Sequence, residues 1–336
     1  MTAEPTVIAR RDGRVGRILL NRPRALNALN LDMIRACDVI LRQWRDDPHV
    51  HAVIIEGAGE RAFCAGGDII ELREAQISGN RPVADAFFQE EYALNLLIAT
   101  YPKPYIALID GICMGGGIGM SVHGAYRVAT EHASFGMPET AIGFFPDIGA
   151  TFLLPRLRGH LGLYLGLTGL RLSGADAVHA GLATHFVPHA KLVTLSAALA
   201  QDGPSVLAEH SEALPPFSLA PHLAAIEHCF TADTVPGIVA RLEQQEDDWA
   251  KRALKALRTV SPSALFWTLQ ALRNGADLTL PAALDAEFQL TRTTMAHPDF
   301  TEGVRAMVVD KDRKPAWKPA RIEDVDPASI AGLFTG

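Results

Sequence analysis

The sequence predicts an α/β fold with a substantially parallel sheet, followed by a helical C-terminal region. Apolar, β-branched runs alternate with helix-patterned segments in the first third of the chain. Glycine turns follow strand-like runs directly, which is where parallel α/β sheets carry their functional loops. After about residue 190 the pattern becomes almost entirely helical.

The elements follow in order. Arg17–Asn21 reads as a strand, ended by Arg22-Pro23 because proline cannot continue a ladder. Residues 31–46 read as a helix, with Leu31, Ile34, Cys37, Leu41 and Trp44 on one face and Asn30 as N-cap. Ala52–Glu56 is a β-branched strand closed by Gly57-Ala58-Gly59, and Tyr105–Ile109 and Ala125–Ala129 repeat the theme. Glu212-Ala213-Leu214-Pro215-Pro216-Phe217 is a proline-rich break, beyond which Val235–Leu257 and Pro262–Arg273 read as helices. Two domains are therefore expected: a catalytic core over 1–212, and a helical region over 213–336 packed on it.

Composition narrows the function. The 31 basic and 38 acidic side chains give a net charge of −7, which argues against a nucleic-acid or anionic-membrane partner. No apolar run approaches the roughly 20 residues that span a bilayer. The four cysteines lie far apart with no C-x-x-C pair, so neither a metal site nor a disulfide scaffold is expected. Reduced thiols and an N-terminus without an apolar signal core point to a cytoplasmic location.

Several catalytic motifs are absent. Gly115 to Met120 and Gly117 to Val122 both fail G-x-G-x-x-G, and there is no phosphate-binding lysine loop, nucleophile elbow or H-E-x-x-H. What remains are two strand-then-glycine turns, Ala62 to Ile69 and Asp110 to Gly117. Glycine lets a backbone approach a ligand closely, and the first N–H groups of a helix lack internal partners. Two such groups aimed at one point make an oxyanion hole. Downstream, MPETAIGFFPDIG over 137–149 sets Glu139 and Asp147 among apolar, glycine and proline neighbours, where ionised carboxylates are expensive unless paired or kept for chemistry.

These residues resemble the crotonase, or enoyl-CoA hydratase/isomerase, superfamily. The likeness rests on Asn21-Arg22-Pro23, Asn27-Ala28-Leu29, Ala65-Gly66-Gly67-Asp68, the triple glycine 115–117 and Phe135-Gly136-Met137-Pro138-Glu139. Ser121-Val122-His123-Gly124, MPETAIGFFPDIG, Asp299-Phe300-Thr301-Glu302-Gly303 and Trp317-Lys318-Pro319 narrow it to a hydrolase branch and extend it over nearly the whole chain. The resemblance implies a ββα spiral core and an acyl-CoA thioester substrate. It matches Gly67 and Gly116 to the oxyanion-hole N–H donors, Glu139 and Asp147 to the catalytic acids, and Glu91 to a substrate contact. Coenzyme A would lie along Arg22, Arg24, Ala25, Arg61 and Ala65. It belongs to the substrate, so no separate cofactor and no metal is expected; superfamily members often form trimers through C-terminal helices, but the longer helical tail here could cover that surface, so a homo-oligomer stays open.

One departure separates activities. The hydratases use two glutamates, one just after the triple glycine and one in the P-E motif. Here Gly119 stands at the first position, Glu139 at the second, and Asp147 where hydratases place a glycine. The resemblance therefore implies hydrolysis of a short branched 3-hydroxyacyl-CoA, foremost 3-hydroxyisobutyryl-CoA in valine breakdown. Glu139 would attack the carbonyl or deprotonate the attacking water, and both routes stay open. The competing readings are an enoyl-CoA hydratase or isomerase and a non-catalytic acyl-CoA-binding protein.

Overall fold

Asn30 Oδ1 accepts a hydrogen bond from the Met33 N–H at 3.0 Å, and the helix Leu31–Asp46 starts there, as the sequence predicts. Met33, Ile34, Cys37 and Leu41 form its buried face. The structure is a computed structural model that describes residues 4–334. Residues 1–3 and 335–336, the outer ends of the expected 1–212 and 213–336 domains, lie outside the described residues.

The strands are β1 (Val7–Asp12), β2 (Val15–Leu20), β3 (Ala52–Gly57), β4 (Ala62–Cys64), β5 (Tyr105–Ile109), β6 (Ile112–Met114), β7 (Tyr126–Ala129), β8 (Ser134–Gly136), β9 (Leu172–Ser173) and β10 (His185–Phe186). One sheet runs in the order β1-β2-β3-β5-β7-β10, parallel throughout except for the β1–β2 hairpin. A smaller sheet runs β4-β6-β8-β9, parallel except at β9. Ala52 to Ile55 and all of Tyr105–Ile109 are buried, which is what a parallel sheet covered on both faces requires of its central strands. Ile54, Ile106, Leu108, Val128 and Val187 pack with Leu195 and Leu199 of the helix Leu192–Asp202 in one apolar cluster. Burying each such side chain contributes about 1.5–3 kcal/mol.

The chain divides into two compact units, each discontinuous in sequence. The first comprises 1–68, 89–136 and 172–218 and holds both sheets. The second comprises 69–88, 137–171 and 219–336, and among its described residues regular structure is helical. This differs from the partition at 212/213, because two earlier segments group with the C-terminal helices. The second unit also corrects one element. The expected helix Val235–Leu257 is two, Val235–Glu243 and Asp248–Thr259, because Asp247 accepts from the Ala250 N–H and starts a new helix. Among the described residues, no helix is long and apolar enough to cross a membrane.

Candidate active site

In the first unit, both glycine turns sit at the ends of short parallel strands. β4 runs into Ala65-Gly66-Gly67-Asp68, where Gly66 adopts φ +112°, a conformation essentially reserved for glycine. Leu29 and Gly67 form a parallel bridge in which the Leu29 N–H donates to Gly66 O and the Asp68 N–H to Leu29 O. The Gly67 N–H is left outside that bridge. β6 leads through Gly115, at φ +46°, into the helix Gly116–Val122. Gly116 is its first residue, so its N–H has no intrahelical acceptor.

The two turns meet. A methyl group on Gly116 would come within 2.5 Å of Glu91 Oε1 and 3.3 Å of the Gly67 nitrogen. Gly67, Gly116 and Glu91 therefore share one small space that an alanine would fill. Glu91 is 2% exposed, which excludes a solvated helix-face role. That role belongs to its neighbour Glu90, whose carboxylate takes a two-pronged hydrogen bond from Arg35. Cys64, on β4, is not a nucleophile: burial pushes its thiol up to about 12.

The expected coenzyme A residues divide in two groups. Arg22 is committed to the protein, donating to Ala28 O at 2.6 Å and to Asp68 at 2.9 Å, so it fastens the 22–29 loop to the turn at 65–68. Arg24, Ala25 and Arg61 are exposed, and Ala65 is half-buried.

In the second unit, Glu139 opens a one-turn 3-10 helix, Glu139–Ile142, that Gly143 ends at φ +67°. Glu139 and Asp147 are both buried, at 7% and 6% exposure, so neither is a solvated turn acid. Ile148 follows at φ +58° and Gly149 at φ +83°. For a β-branched residue that backbone is a genuine outlier, costing about 1–2 kcal/mol. Ile148 is also 1% exposed, and burial worth about 1.5–3 kcal/mol offsets the strain.

Two residues that sequence reasoning missed hold these loops. Glu287, on the helix Leu280–Ala296, is fully buried and accepts from the Gly149 N–H at 2.7 Å and from the Thr151 N–H and hydroxyl at 2.9 and 2.5 Å. Burial pushes its carboxyl up to about 8; the Thr151 and Gly149 donors pull it back, and the Asp147 charge adds to the rise. Asp299 is the other. Its buried carboxylate accepts from Ser261 Oγ at 2.6 Å and the Lys318 N–H at 2.8 Å, while a side chain on Gly143 would run into its backbone. Asp299 lies in a motif that carried the family resemblance, a signal that could have found it; Glu287 has no local signal.

A buried carboxylate beside two glycine turns in the first unit, and a loop bearing two buried acids in the second, are each groups that acyl-transfer chemistry can use, because charge develops there on a carbonyl oxygen. A model of the enoyl-CoA hydratase/isomerase family matches residues 15–334, and the chain belongs to that family. Among curated relatives it is 48% identical to the mitochondrial 3-hydroxyisobutyryl-CoA hydrolase of Xenopus laevis, over 96% of this chain and 87% of that one. To the human protein of the same name it is 46% identical, over 99% and 89%. Among solved structures, an enoyl-CoA hydratase from Rhodobacter sphaeroides matches with a TM-score of 0.93 at 42% identity, covering 98% of this chain and 97% of that one. A carnitinyl-CoA dehydratase from Mycobacterium thermoresistibile matches at 0.95 and 39%, covering 99% and 97%.

These findings bear out the expected superfamily and fold. They overturn the expected location: the curated relatives are mitochondrial proteins, not cytoplasmic ones. All four cysteines are buried and free.

Proposed function

We propose that the chain hydrolyses the thioester of 3-hydroxyisobutyryl-CoA, giving 3-hydroxyisobutyrate and coenzyme A, a reaction of valine breakdown. The observation that carries this reading is 46–48% identity, over nearly the whole chain, to curated hydrolases of that name. Gly119 and Asp147 support it, since one hydratase acid is absent and a second loop acid is present.

In this reading the Gly67 and Gly116 N–H groups receive the carbonyl oxygen as it gains charge, each donor worth about 2.7–4 kcal/mol in the transition state. Glu139 either deprotonates a water that adds to the carbonyl carbon, or adds itself to give an anhydride that water then opens. The tetrahedral centre collapses by breaking the C–S bond, and the coenzyme A thiolate leaves and takes a proton. Asp147 hydrogen-bonds the 3-hydroxyl or positions the water, and Glu91 lines the acyl pocket. The exposed Arg24 and Arg61 are the cations of the proposed coenzyme A path that remain available for its phosphates.

A hydratase is the second reading, because the Rhodobacter sphaeroides neighbour carries that name. Thiol release from 3-hydroxyisobutyryl-CoA, run beside hydration of crotonyl-CoA, separates the two. The expected result is thiol release that falls about 10²–10⁴-fold in Glu139→Gln, with KM little changed. Hydration of crotonyl-CoA without thiol release would sink the hydrolase reading. Oxygen-18 from water appearing in Glu139 after a single turnover selects the anhydride route with water opening it at the Glu139 carbonyl, whereas label confined to the product means that water attacks the acyl carbon.

A further inference from the structure

Outside the residues assigned above, three side chains converge where three parallel strands end. β5, β7 and β10 lie side by side, with Ile109 opposite Ala129 and Ala129 opposite Phe186. Asp110 follows β5 at once, His132 lies in the turn after β7, and His189 follows β10. The carboxyl ends of such strands are where parallel sheets gather their binding loops.

The cluster is built rather than incidental. The Asp110 carboxylate faces His132 Nδ1 at 3.3 Å and His189 Nδ1 at 2.9 Å. Its Oδ1 also receives the Thr130 hydroxyl at 2.5 Å, which fixes its orientation. The His189 N–H donates to Glu131 Oε2 at 2.8 Å, so the loop carrying one histidine is fastened to the turn carrying the other. One ligand atom from each of the three residues lies within 4.8 Å of the others. The side chain of Asp110 is 19% exposed, whereas those of His132 and His189 are 50% and 48% exposed, leaving the ring side open to solvent. An open cavity of about 430 Å³, with Asp110, Arg17 and Glu56 in its wall, adjoins the cluster.

We propose that Asp110, His132 and His189 form a binding site for a divalent cation of the zinc class, joining the ends of three strands. Two imidazole nitrogens and one carboxylate oxygen form a donor set that borderline cations prefer and magnesium or calcium does not. Zinc takes three protein ligands at about 2.0–2.2 Å and completes a tetrahedron with water. Ligand atoms in such a tetrahedron stand about 3.3 Å apart. Asp110 presents Oδ1 to His132 Nδ1 at 3.3 Å and Oδ2 to His189 Nδ1 at 2.9 Å, one oxygen to each ring, and one ligand atom from each residue lies within 4.8 Å of the others, a spread that closing on an ion must shorten. Local spacing gives no hint of the site, because Asp110 and His189 are 79 residues apart.

The test uses the full chain without a polyhistidine tag, stripped with a chelator and titrated calorimetrically with zinc. His132→Gln, His189→Gln and the double variant run in parallel, and far-UV circular dichroism checks that each is folded. The expected result is one tight site per chain, weakened at least about tenfold in each single variant and about a hundredfold in the double. Zinc should raise the melting temperature of the wild type and not of the double variant. Bound cobalt should give the visible absorption of a four-coordinate ion, and magnesium should give no heat. Equal zinc affinity in the wild type and the folded double variant would overturn the proposal, leaving Asp110 as the hub of an ion-free hydrogen-bond cluster.

Discussion

At the scale of single residues, Glu287 is the least expected feature of the second unit. It accepts three hydrogen bonds just downstream of Ile148, so it supports a loop whose backbone is strained beside Asp147. Burial raises its carboxyl from an ordinary 4.5 to about 8, so the folded state holds this proton more tightly than the unfolded chain does. Its contribution to stability is therefore full below about pH 4.5 and is lost progressively as the pH rises through about 8. Glutamine keeps the size but cannot titrate. The unfolding free energy of the wild type, measured against Glu287→Gln by urea denaturation, is thus expected to fall between about pH 5 and about pH 8. A wild-type-to-variant difference that stays constant over that window would show that Glu287 is already ionised in the fold. Glu287 was not legible in the sequence: 138 residues separate it from Gly149, and no local pattern marks a contact at that range.

At the scale of elements, local signals were read well where they act locally. The helix Leu31–Asp46 begins at its cap, and Tyr105–Ile109 matches its apolar run because both depend on neighbouring residues. The single helix expected over 235–257 is two because helix formers run through the break while Asp247 caps a new start. The helix Pro298–Val304 illustrates what local patterns omit. Gly303 packs so closely on the Glu139–Ile142 turn that a methyl group there would lie 2.5 Å from the Ile142 carbonyl carbon. Ser261 donates its N–H to Thr140 O at 3.1 Å from a second element. Glu139 is thus seated by chain more than a hundred residues downstream, and the family-like motif at 299–303 has a packing role. Gly303→Ala is expected to cost about 1–3 kcal/mol, because the obstacle is backbone and cannot swing aside. It should also lower thioester turnover by displacing the Glu139 turn. Wild-type turnover in a variant of unchanged melting temperature would show that the contact is not what seats Glu139.

At the scale of the whole molecule, composition and the proline-rich break at 212–217 suggested a single boundary; the packing puts one at 218/219 and adds earlier ones. Among the described residues all ten strands precede residue 187, so an early sheet domain and a late helical one look separable in sequence. Yet residues 69–88 and 137–171 pack with 219–336 in the second unit. The aromatic cluster records it: Phe88 stacks on Phe144 at 5.6 Å between ring centroids, and Phe144 lies 5.8 Å from Phe300. A chain ending at residue 212 would keep every described strand but strip Phe144, 4% exposed and stacked on Phe88, of its C-terminal partner Phe300. Aromatic side chains bury about 150–250 Å² apiece, and exposing several at once favours a loosened or aggregating state over a native one. Expressed alone, the 1–212 fragment is therefore expected to bind a hydrophobic dye and to lose its cooperative thermal transition, while the full chain keeps one. A soluble 1–212 fragment with a sharp transition and no dye binding would place the boundary at 212/213 after all, and with it the Glu139 and Asp147 loop in a domain that folds without the C-terminal helices.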